Sequence, residues 1–248
     1  MKKTNYSYIG IAFVILVFGI WFVPRIVDRI NNDDVSRKES RSDQKRETVT
    51  SKASGLAFIE NNGVKRKVPE FSFTNQRGKT ITNKDYEGKV YVIEFFFTTC
   101  PTICPRMNNN LVKIQNTFKD FENFGVASFT INPEHDTPEV LQAYADTYGI
   151  TNPNWHLLTG KKDEIYKLAN EGFYIYAAEN ASVEGGFEHS GNFALIDKNG
   201  FIRSRKDGFG NPIIYYRGIT SEEEGADDNG EAEQISILKE DIKKLLNE

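Results

Sequence analysis

The sequence predicts an α/β fold with a mixed central sheet flanked by helices. From residue 56 onward, short apolar segments alternate with segments of helical periodicity, which is typical of a largely parallel sheet with helices on both faces. Residues 90–97 form a nearly continuous apolar run, rich in β-branched and aromatic side chains, as expected of a buried central strand. Two late apolar segments flank Asp-Lys-Asn-Gly at residues 197–200, a hairpin signal that adds antiparallel strands to the sheet.

The composition is that of a globular protein and excludes one class of partner. The 248 residues are 39% hydrophobic and 27% charged, with a net charge of −4. Because Lys and Arg are scattered rather than clustered in a basic stripe, we expect no nucleic-acid binding. The chain has only two cysteines, Cys100 and Cys104, so one bridge between them is the most it could form within itself.

The first thirty residues predict a membrane anchor. Residues 6–23 are almost wholly uncharged and apolar, close to the roughly 20 residues that a bilayer-spanning helix requires. No small-residue cleavage site follows them, since Val23, Pro24 and Arg25 are bulky or charged. We therefore expect an uncleaved transmembrane helix within residues 1–30, a solvated polar tether at 31–54, and a folded domain at 55–248.

The domain opens with short strands and then reaches the central strand. Residues 56–60, 71–74 and 79–82 are short apolar or β-branched segments separated by turn residues, and we expect them to form hairpins. The central strand at residues 90–97 follows them. Next comes a helix from Pro105 to about residue 121, in which apolar side chains recur at helical spacing.

Two further strand–helix units follow. Residues 126–131 form a strand, and Thr137 and Pro138 are the cap and first residue of a helix. Residues 155–158 and 163–170 repeat the alternation of strand and helix.

The C-terminal part contains the closing hairpin, an acidic stretch and a last helix. The hairpin strands are residues 192–196 and 201–205. The acidic stretch at residues 221–233 is expected to be a flexible loop, and we assign it no role. After it, Ile235, Leu238, Ile242 and Leu245 form an apolar stripe along a terminal helix that should dock on the domain.

Both cysteines lie between the central strand and the helix that follows it. Pro105 suits the first position of a helix, so we expect Cys104 to be the cap and Cys100 to lie in the turn before it. The positive field of the helix N-terminus, together with Arg106, favours a thiolate. A thiolate both attacks disulfides and binds soft metal ions, so the pair is either a redox pair or part of a metal site.

The three histidines are candidates for a third ligand. His135 lies in a loop before a helix and is expected to be an exposed loop residue, whereas His156 lies within a short strand and is expected to be structural. His189 lies in a Gly-rich loop that leads directly into a strand. Because such a loop can lie beside the loop after the central strand, His189 is the best candidate to meet the cysteines.

These motifs, in this order, resemble the Sco/SenC family. The resemblance rests on Cys100-x-x-x-Cys104-Pro105, the helix start at Asp136-Thr137-Pro138, and His189 before the last hairpin, and it covers roughly residues 69–205 plus the anchor. It implies a thioredoxin-like fold and copper bound by Cys100, Cys104 and His189. Proteins of this family are membrane-anchored copper chaperones that help assemble the dinuclear copper centre, CuA, of cytochrome c oxidase.

The resemblance also implies partners and a location. We expect cytochrome c oxidase subunit II as client. Because oxidation would convert the cysteine pair to a disulfide and block metal loading, we also expect a thiol reductant protein as partner. The N-terminus does not resemble an Arg- and Ser-rich organelle transit peptide, which favours a bacterial inner membrane with the domain facing the periplasm or cell exterior. Two thiolates and one imidazole suit Cu(I), and the same set could support Cu(II) or hold Zn(II) with a fourth ligand. Asn132 stands where the family usually has Asp, so any role of that carboxylate is absent, and residues 208–230 look like an elaboration.

We expect a metallochaperone that is not a turnover enzyme, and two classes of enzyme are the alternatives. A membrane-anchored thiol–disulfide reductase would use the same cysteines, although thioredoxin-type reductases generally have two residues between them and a proline in the facing loop. A peroxiredoxin-like peroxidase is disfavoured because Ile93 and Phe97 stand where that motif has Pro and Thr.

Overall fold

The structure is a computed structural model that describes Leu16, Phe18, Gly19 and Trp21, which are helical, and residues 55–248. Most of the predicted anchor and all of the predicted tether, residues 31–54, lie outside the described residues. Within the part of the chain that is described, no helix has the length and apolar character needed to cross a membrane.

The domain consists of thirteen short strands and four α-helices within residues 55–248. A 3-10 helix at Asn83–Tyr86 and a π-helix at Leu168–Phe173 join them. The helices are α1 Ile103–Thr117, α2 Pro138–Tyr148, α3 Lys162–Lys167 and α4 Ile235–Asn247. The strands are β1 Ala57–Phe58, β2 Glu60–Asn61, β3 Val64–Lys65, β4 Ser72–Asn75, β5 Thr80–Thr82, β6 Val90–Phe96, β7 Phe124–Thr130, β8 Trp155–Thr159, β9 Ala177–Glu179, β10 Phe187–His189, β11 Asn192–Ile196, β12 Ile202–Ser204 and β13 Tyr216–Arg217.

The main sheet is mixed, as the sequence predicts. Its strand order is β1-β12-β11-β6-β7-β8-β4-β5, with β13 paired to β11. The pairs β6–β7 and β7–β8 are parallel, and the hairpin strands β11 and β12 join β6 in antiparallel pairing. The parallel strands therefore form the centre of the sheet, and antiparallel strands flank them on both sides. The cysteine loop follows the central strand β6, and the candidate histidine lies shortly before β11, the strand beside β6.

Strand β6 is covered on both faces. All seven of its residues are buried. Phe96 packs on Tyr144 of α2, while its neighbour Phe95 packs on Phe173 of the π-helix. Because successive strand side chains point to opposite faces, these two contacts place helical segments on both sides of the sheet, as predicted.

Helix boundaries follow local sequence signals. The Thr137 side chain accepts a hydrogen bond from the Val140 amide and Pro138 occupies the first turn of α2, which confirms the predicted start of that helix. Helix α4 buries the predicted apolar stripe, including Leu238 and Ile242.

The acidic stretch at residues 221–233 is not the flexible loop that the sequence suggests. Glu222, Glu223 and Glu224 pair with Lys239, Lys113 and Arg106 respectively, so the stretch is tied to α4 and to α1. Lys113 and Arg106 lie 110 and 118 residues from their partners in sequence, and local charge patterning could not reveal them.

Candidate metal centre

The cysteine loop connects β6 to α1, and its helix begins two residues earlier than predicted. Helix α1 starts at Ile103 with Thr102 as N-cap, so Cys104 lies inside the first turn rather than at the cap. Pro105 is tolerated there because amides of the first turn have no partner within the helix. Cys104 is fully buried, and Cys100, in the preceding loop as predicted, is 8% exposed.

The structure brings His189 to the cysteines. His189 is the last residue of β10, which pairs with β9 in a two-stranded hairpin outside the main sheet. Its Nε2 lies 3.1 Å from Cys104 Sγ, and its Nδ1 lies 3.3 Å from the carbonyl oxygen of Ser190. The Phe97 ring meets the imidazole edge-on at 5.9 Å between centroids and helps to orient it.

The donor atoms of Cys100, Cys104 and His189 all lie within 4.8 Å of one another. Sulfur and imidazole ligands bind soft metals at about 2.0–2.3 Å, so two ligands on opposite sides of one ion are about 4–4.6 Å apart. The three atoms therefore fit around one ion with small adjustments. Two thiolates and an imidazole are soft and borderline donors, which suit Cu(I) and also Zn(II).

The other two histidines occupy the places predicted for them. His135 is half exposed and contacts Asp136 through Nδ1 at 2.9 Å. His156 is buried, its Nδ1 lies 3.2 Å from Asn75 Nδ2, and burial lowers its pKa to about 4. Neither belongs to the group of potential metal ligands identified among the described residues.

The two thiols differ in acidity. The hydrogen bond from the Cys104 thiol lowers the pKa of Cys100 to about 3, against an opposing effect of burial and with further help from His189 and the amides of Cys104 and Thr102. Burial raises the pKa of Cys104 well above its usual range, and the interaction with Cys100 raises it further. In the reduced protein Cys100 is therefore the thiolate and Cys104 the proton donor.

This asymmetry predicts the alkylation behaviour of the metal-free, reduced protein. Cys100 should react with iodoacetamide at nearly the same rate from pH 5 to pH 8, because the low pKa keeps it a thiolate throughout. An ordinary thiol would lose about tenfold per pH unit over this range. Peptide mass spectrometry at several times gives the rates, and Cys104→Ala, which removes the thiol donor, should make the rate fall more steeply as pH decreases. A tenfold fall per unit in the unmodified chain would contradict the assignment.

A buried carboxylate holds the start of the cysteine loop. Asp136 is fully buried and accepts hydrogen bonds from the Thr98 amide at 3.1 Å, from the Thr98 hydroxyl, and from the Thr130 hydroxyl. It thereby ties the loop after β6 to the loop after β7. The sequence motif contains Asp136 but gives no sign of this role, because Thr98 is 38 residues away.

A cleft of about 370 Å³ opens beside the site. Cys100 and His189 both line it, together with the apolar side chains of Phe97, Ile103 and Phe187. One side of the donor set therefore faces a cleft from which a ligand can approach.

The fold is a mixed sheet flanked by helices, with a cysteine pair in the loop after the central strand and a histidine from a later hairpin beside that pair. These features define the thioredoxin-like class of thiol and metal proteins. Residues 59–222 match the family model SCO1/SenC. The chain belongs to the SCO1/SenC family.

Relatives and solved structures agree with this assignment. The SCO1 protein homolog of Bacillus subtilis is 33% identical over 147 residues, which cover 58% of this chain and 75% of the relative. A SCO1/SenC family lipoprotein from Bacillus anthracis superposes with a TM-score of 0.60 at 31% identity, covering 73% of this chain and 95% of the other. BsSco gives a TM-score of 0.58 at 25% identity, covering 75% and 96%.

The descriptions of these proteins concern copper, redox chemistry and oxidase assembly. BsSco is described as a member of the Sco family of cytochrome c oxidase assembly proteins, with a disulfide switch. A ScoI structure from Arabidopsis thaliana, 21% identical with a TM-score of 0.53 and covering 71% of this chain and 98% of the other, has been solved with copper bound. A relative from Stutzerimonas stutzeri, 26% identical over 141 residues that cover 56% of this chain and 68% of the relative, has a name that refers to copper binding.

Proposed function

We propose that this chain is a membrane-anchored copper chaperone that supports assembly of the CuA centre of cytochrome c oxidase. Cys100, Cys104 and His189 are the copper ligands. The observation on which the proposal depends is the convergence of two sulfurs and one imidazole nitrogen within 4.8 Å, from segments 85 residues apart in sequence. Membership of a family with members described as oxidase assembly proteins supports the same function.

The three ligands contribute differently to copper binding. Cys100 is already a thiolate and is ready to coordinate, whereas Cys104 must release its proton as copper enters. His189 supplies the nitrogen ligand, with its Nε2 3.1 Å from the buried Cys104 sulfur. Three ligands leave one position of Cu(I) open towards the cleft, where an acceptor's ligand can bind before the chaperone's ligands release the ion.

Anchoring and topology are part of the proposal. Residues 1–30 hold the protein in the bacterial inner membrane, residues 31–54 are the tether, and the domain at 55–248 faces the periplasm or cell exterior. The description of the Bacillus anthracis relative as a lipoprotein supports membrane attachment. Oxidase subunit II is the proposed client, and a thiol reductant protein keeps both sulfurs available for metal.

A thiol–disulfide reductase is the second candidate, because Cys100 has the low pKa of a reactive thiol. In that reaction Cys100 would attack a partner's disulfide and Cys104 would then displace the partner. A Cys100–Cys104 bond would form as the partner's two sulfurs take up two electrons and two protons. The disulfide switch described for BsSco favours considering it.

One experiment separates the two functions. The reduced full chain in detergent is titrated anaerobically with Cu(I), then mixed with an apo fragment of oxidase subunit II, and copper transfer is measured by gel filtration and metal analysis. In parallel, insulin reduction is followed with excess thiol reductant. We expect one equivalent of Cu(I), transfer to the fragment, and negligible turnover with insulin. Many insulin turnovers without copper transfer would overturn the chaperone proposal in favour of the reductase.

A further inference from the structure

The segment at residues 216–224, which we call the brace, packs between the two halves of the candidate site. It begins with β13, where Tyr216 and Arg217 pair with Phe193 and Asn192 at the start of β11. It then runs over α1, the helix that contains Cys104. The brace thus touches the strand that follows His189 and the helix that contains a proposed ligand.

The backbone of the brace is fixed to both halves. The Gly218 amide donates to the Gly191 carbonyl at 2.7 Å, only two residues after His189. Asn110 of α1, whose side chain is buried, donates from Nδ2 to the Gly218 carbonyl at 2.9 Å and lies 3.5 Å from the Ile219 carbonyl. One short stretch of brace is therefore hydrogen-bonded to the histidine loop on one side and to α1 on the other.

The Ile219 side chain packs directly on the backbone of the histidine loop. A methyl group added to Gly191 would overlap the Cγ1 and Cδ1 atoms of Ile219 and would lie 3.7 Å from Ile103 Cδ1. Ile103 directly precedes Cys104. The three residues Ile219, Gly191 and Ile103 therefore meet at the point where the cysteine loop and the histidine loop approach each other.

The far ends of the brace are also held. Tyr216 is fully buried, and its hydroxyl donates to Asp241 of α4 at 2.8 Å. At the other end, Glu223 and Glu224 pair with Lys113 and Arg106 of α1. Exposed ion pairs are individually weak, about 0–1 kcal/mol, so the buried tyrosine and the Asn110 contacts are the main anchors.

We propose that Ile219 is a positioning residue for the metal site, resting on the proposed function of Cys100, Cys104 and His189 as copper ligands. Ile219 acts through Gly191: by filling the space beside its backbone it keeps the loop at 189–191 against the start of α1, with the imidazole 3.1 Å from the Cys104 sulfur. The glycine is required because the isoleucine occupies the volume that any side chain at residue 191 would need.

The test compares Ile219→Ala with Ile150→Ala, a matched control at another partly buried isoleucine that lies between α2 and β8. Cu(I) affinity of the full chain is measured by competition with a chromophoric chelator. Deuterium exchange of residues 187–192 is measured without metal. Ile219→Ala should weaken Cu(I) binding about tenfold, in the range of residues that orient ligands. It should also speed exchange in this loop, while Ile150→Ala should change neither.

A double variant distinguishes positioning from a general loss of stability. If Ile219 acts through the imidazole, Ile219→Ala should have no further effect on affinity in a His189→Ala background. Ile219→Val, which removes the Cδ1 atom alone, should fold even if the alanine variant does not, and should give a smaller effect of the same sign.

Three outcomes would decide against a proposal. Unchanged affinity and exchange in both Ile219 variants, or an undiminished affinity loss in the His189→Ala background, would overturn the positioning role. Absence of Cu(I) binding by the unmodified chain would instead overturn the proposed function, and the exchange measurement would still decide whether Ile219 holds the loop.

Discussion

Replacing His189 with alanine should lower the affinity of the reduced chain for Cu(I) by at least about 100-fold. Residues that only orient metal ligands cost 10–100-fold when replaced, and loss of a ligand should cost no less. His189 provides the one nitrogen of the three-atom set and faces the buried Cys104 at 3.1 Å. Without it, two sulfurs remain, and the open side of the site widens towards the cleft. Anaerobic competition with a chromophoric Cu(I) chelator measures the change.

His135→Ala is the matched control for this experiment. His135 is also near the cysteine loop, since its ring lies 3.4 Å from the Thr98 hydroxyl, but it is half exposed and outside the donor set. Its replacement should leave the affinity within about threefold, less than the smallest effect expected of a residue that orients a ligand. Equal affinities of the His189→Ala variant and the unmodified chain would remove His189 from the site, and an equal loss in both variants would point to a general disturbance of the loop.

The parts of the fold that the sequence predicts are those with strong local patterns. Strand β6 is recognisable because its apolar run is long and continuous, and α2 because Thr137 and Pro138 are a cap and a first-turn residue. The start of α1 is predicted two residues late, since proline is tolerated throughout the first turn and does not mark its first residue.

The hairpin that presents His189 has no comparable signal. Strand β9 is Ala-Ala-Glu, without β-branched residues or apolar alternation, and its partner β10 is three residues long. The sequence places His189 before β11 but gives no distance to Cys104; that distance depends on long-range packing. The same holds for the brace, since its acidic residues resemble a solvated loop until Lys113 and Arg106 are brought alongside them.

A buried carboxyl on the central strand should make folding stability depend on pH. Glu94 of β6 is fully buried, its Oε1 accepts a hydrogen bond from the Ser128 hydroxyl at 2.6 Å, and its Oε2 has no hydrogen-bond partner among the described residues. Burial raises the pKa of Glu94 to about 7, against the opposing effect of Ser128. Between pH 4.5 and about 7, the folded chain therefore keeps a proton on Glu94 that the unfolded chain has already released.

The sign of the effect follows from proton linkage. A folded-state pKa of about 7 against an ordinary value of 4.5 means that this contribution is fully present below pH 4.5 and is lost as pH rises through about 7. The loss is on the order of 3 kcal/mol in the free energy of unfolding. His156 acts in the opposite direction, because burial lowers its pKa to about 4 and folding gains stability as pH rises from there towards 6.5. The contributions of Glu94 and His156 therefore oppose each other over most of this pH range.

Glu94→Gln separates the two contributions, because it keeps the shape of the side chain and removes only its titration. Urea unfolding of the variant and the unmodified chain at pH 4.5, 6 and 8 gives their difference in free energy of unfolding, from which the contribution of His156 cancels. We expect this difference to move in favour of the glutamine variant by about 3 kcal/mol between pH 4.5 and pH 8, since only the unmodified chain must then hold a buried carboxylate. A difference independent of pH would mean that the pKa of Glu94 is the same in the folded and the unfolded chain, and would contradict the shift.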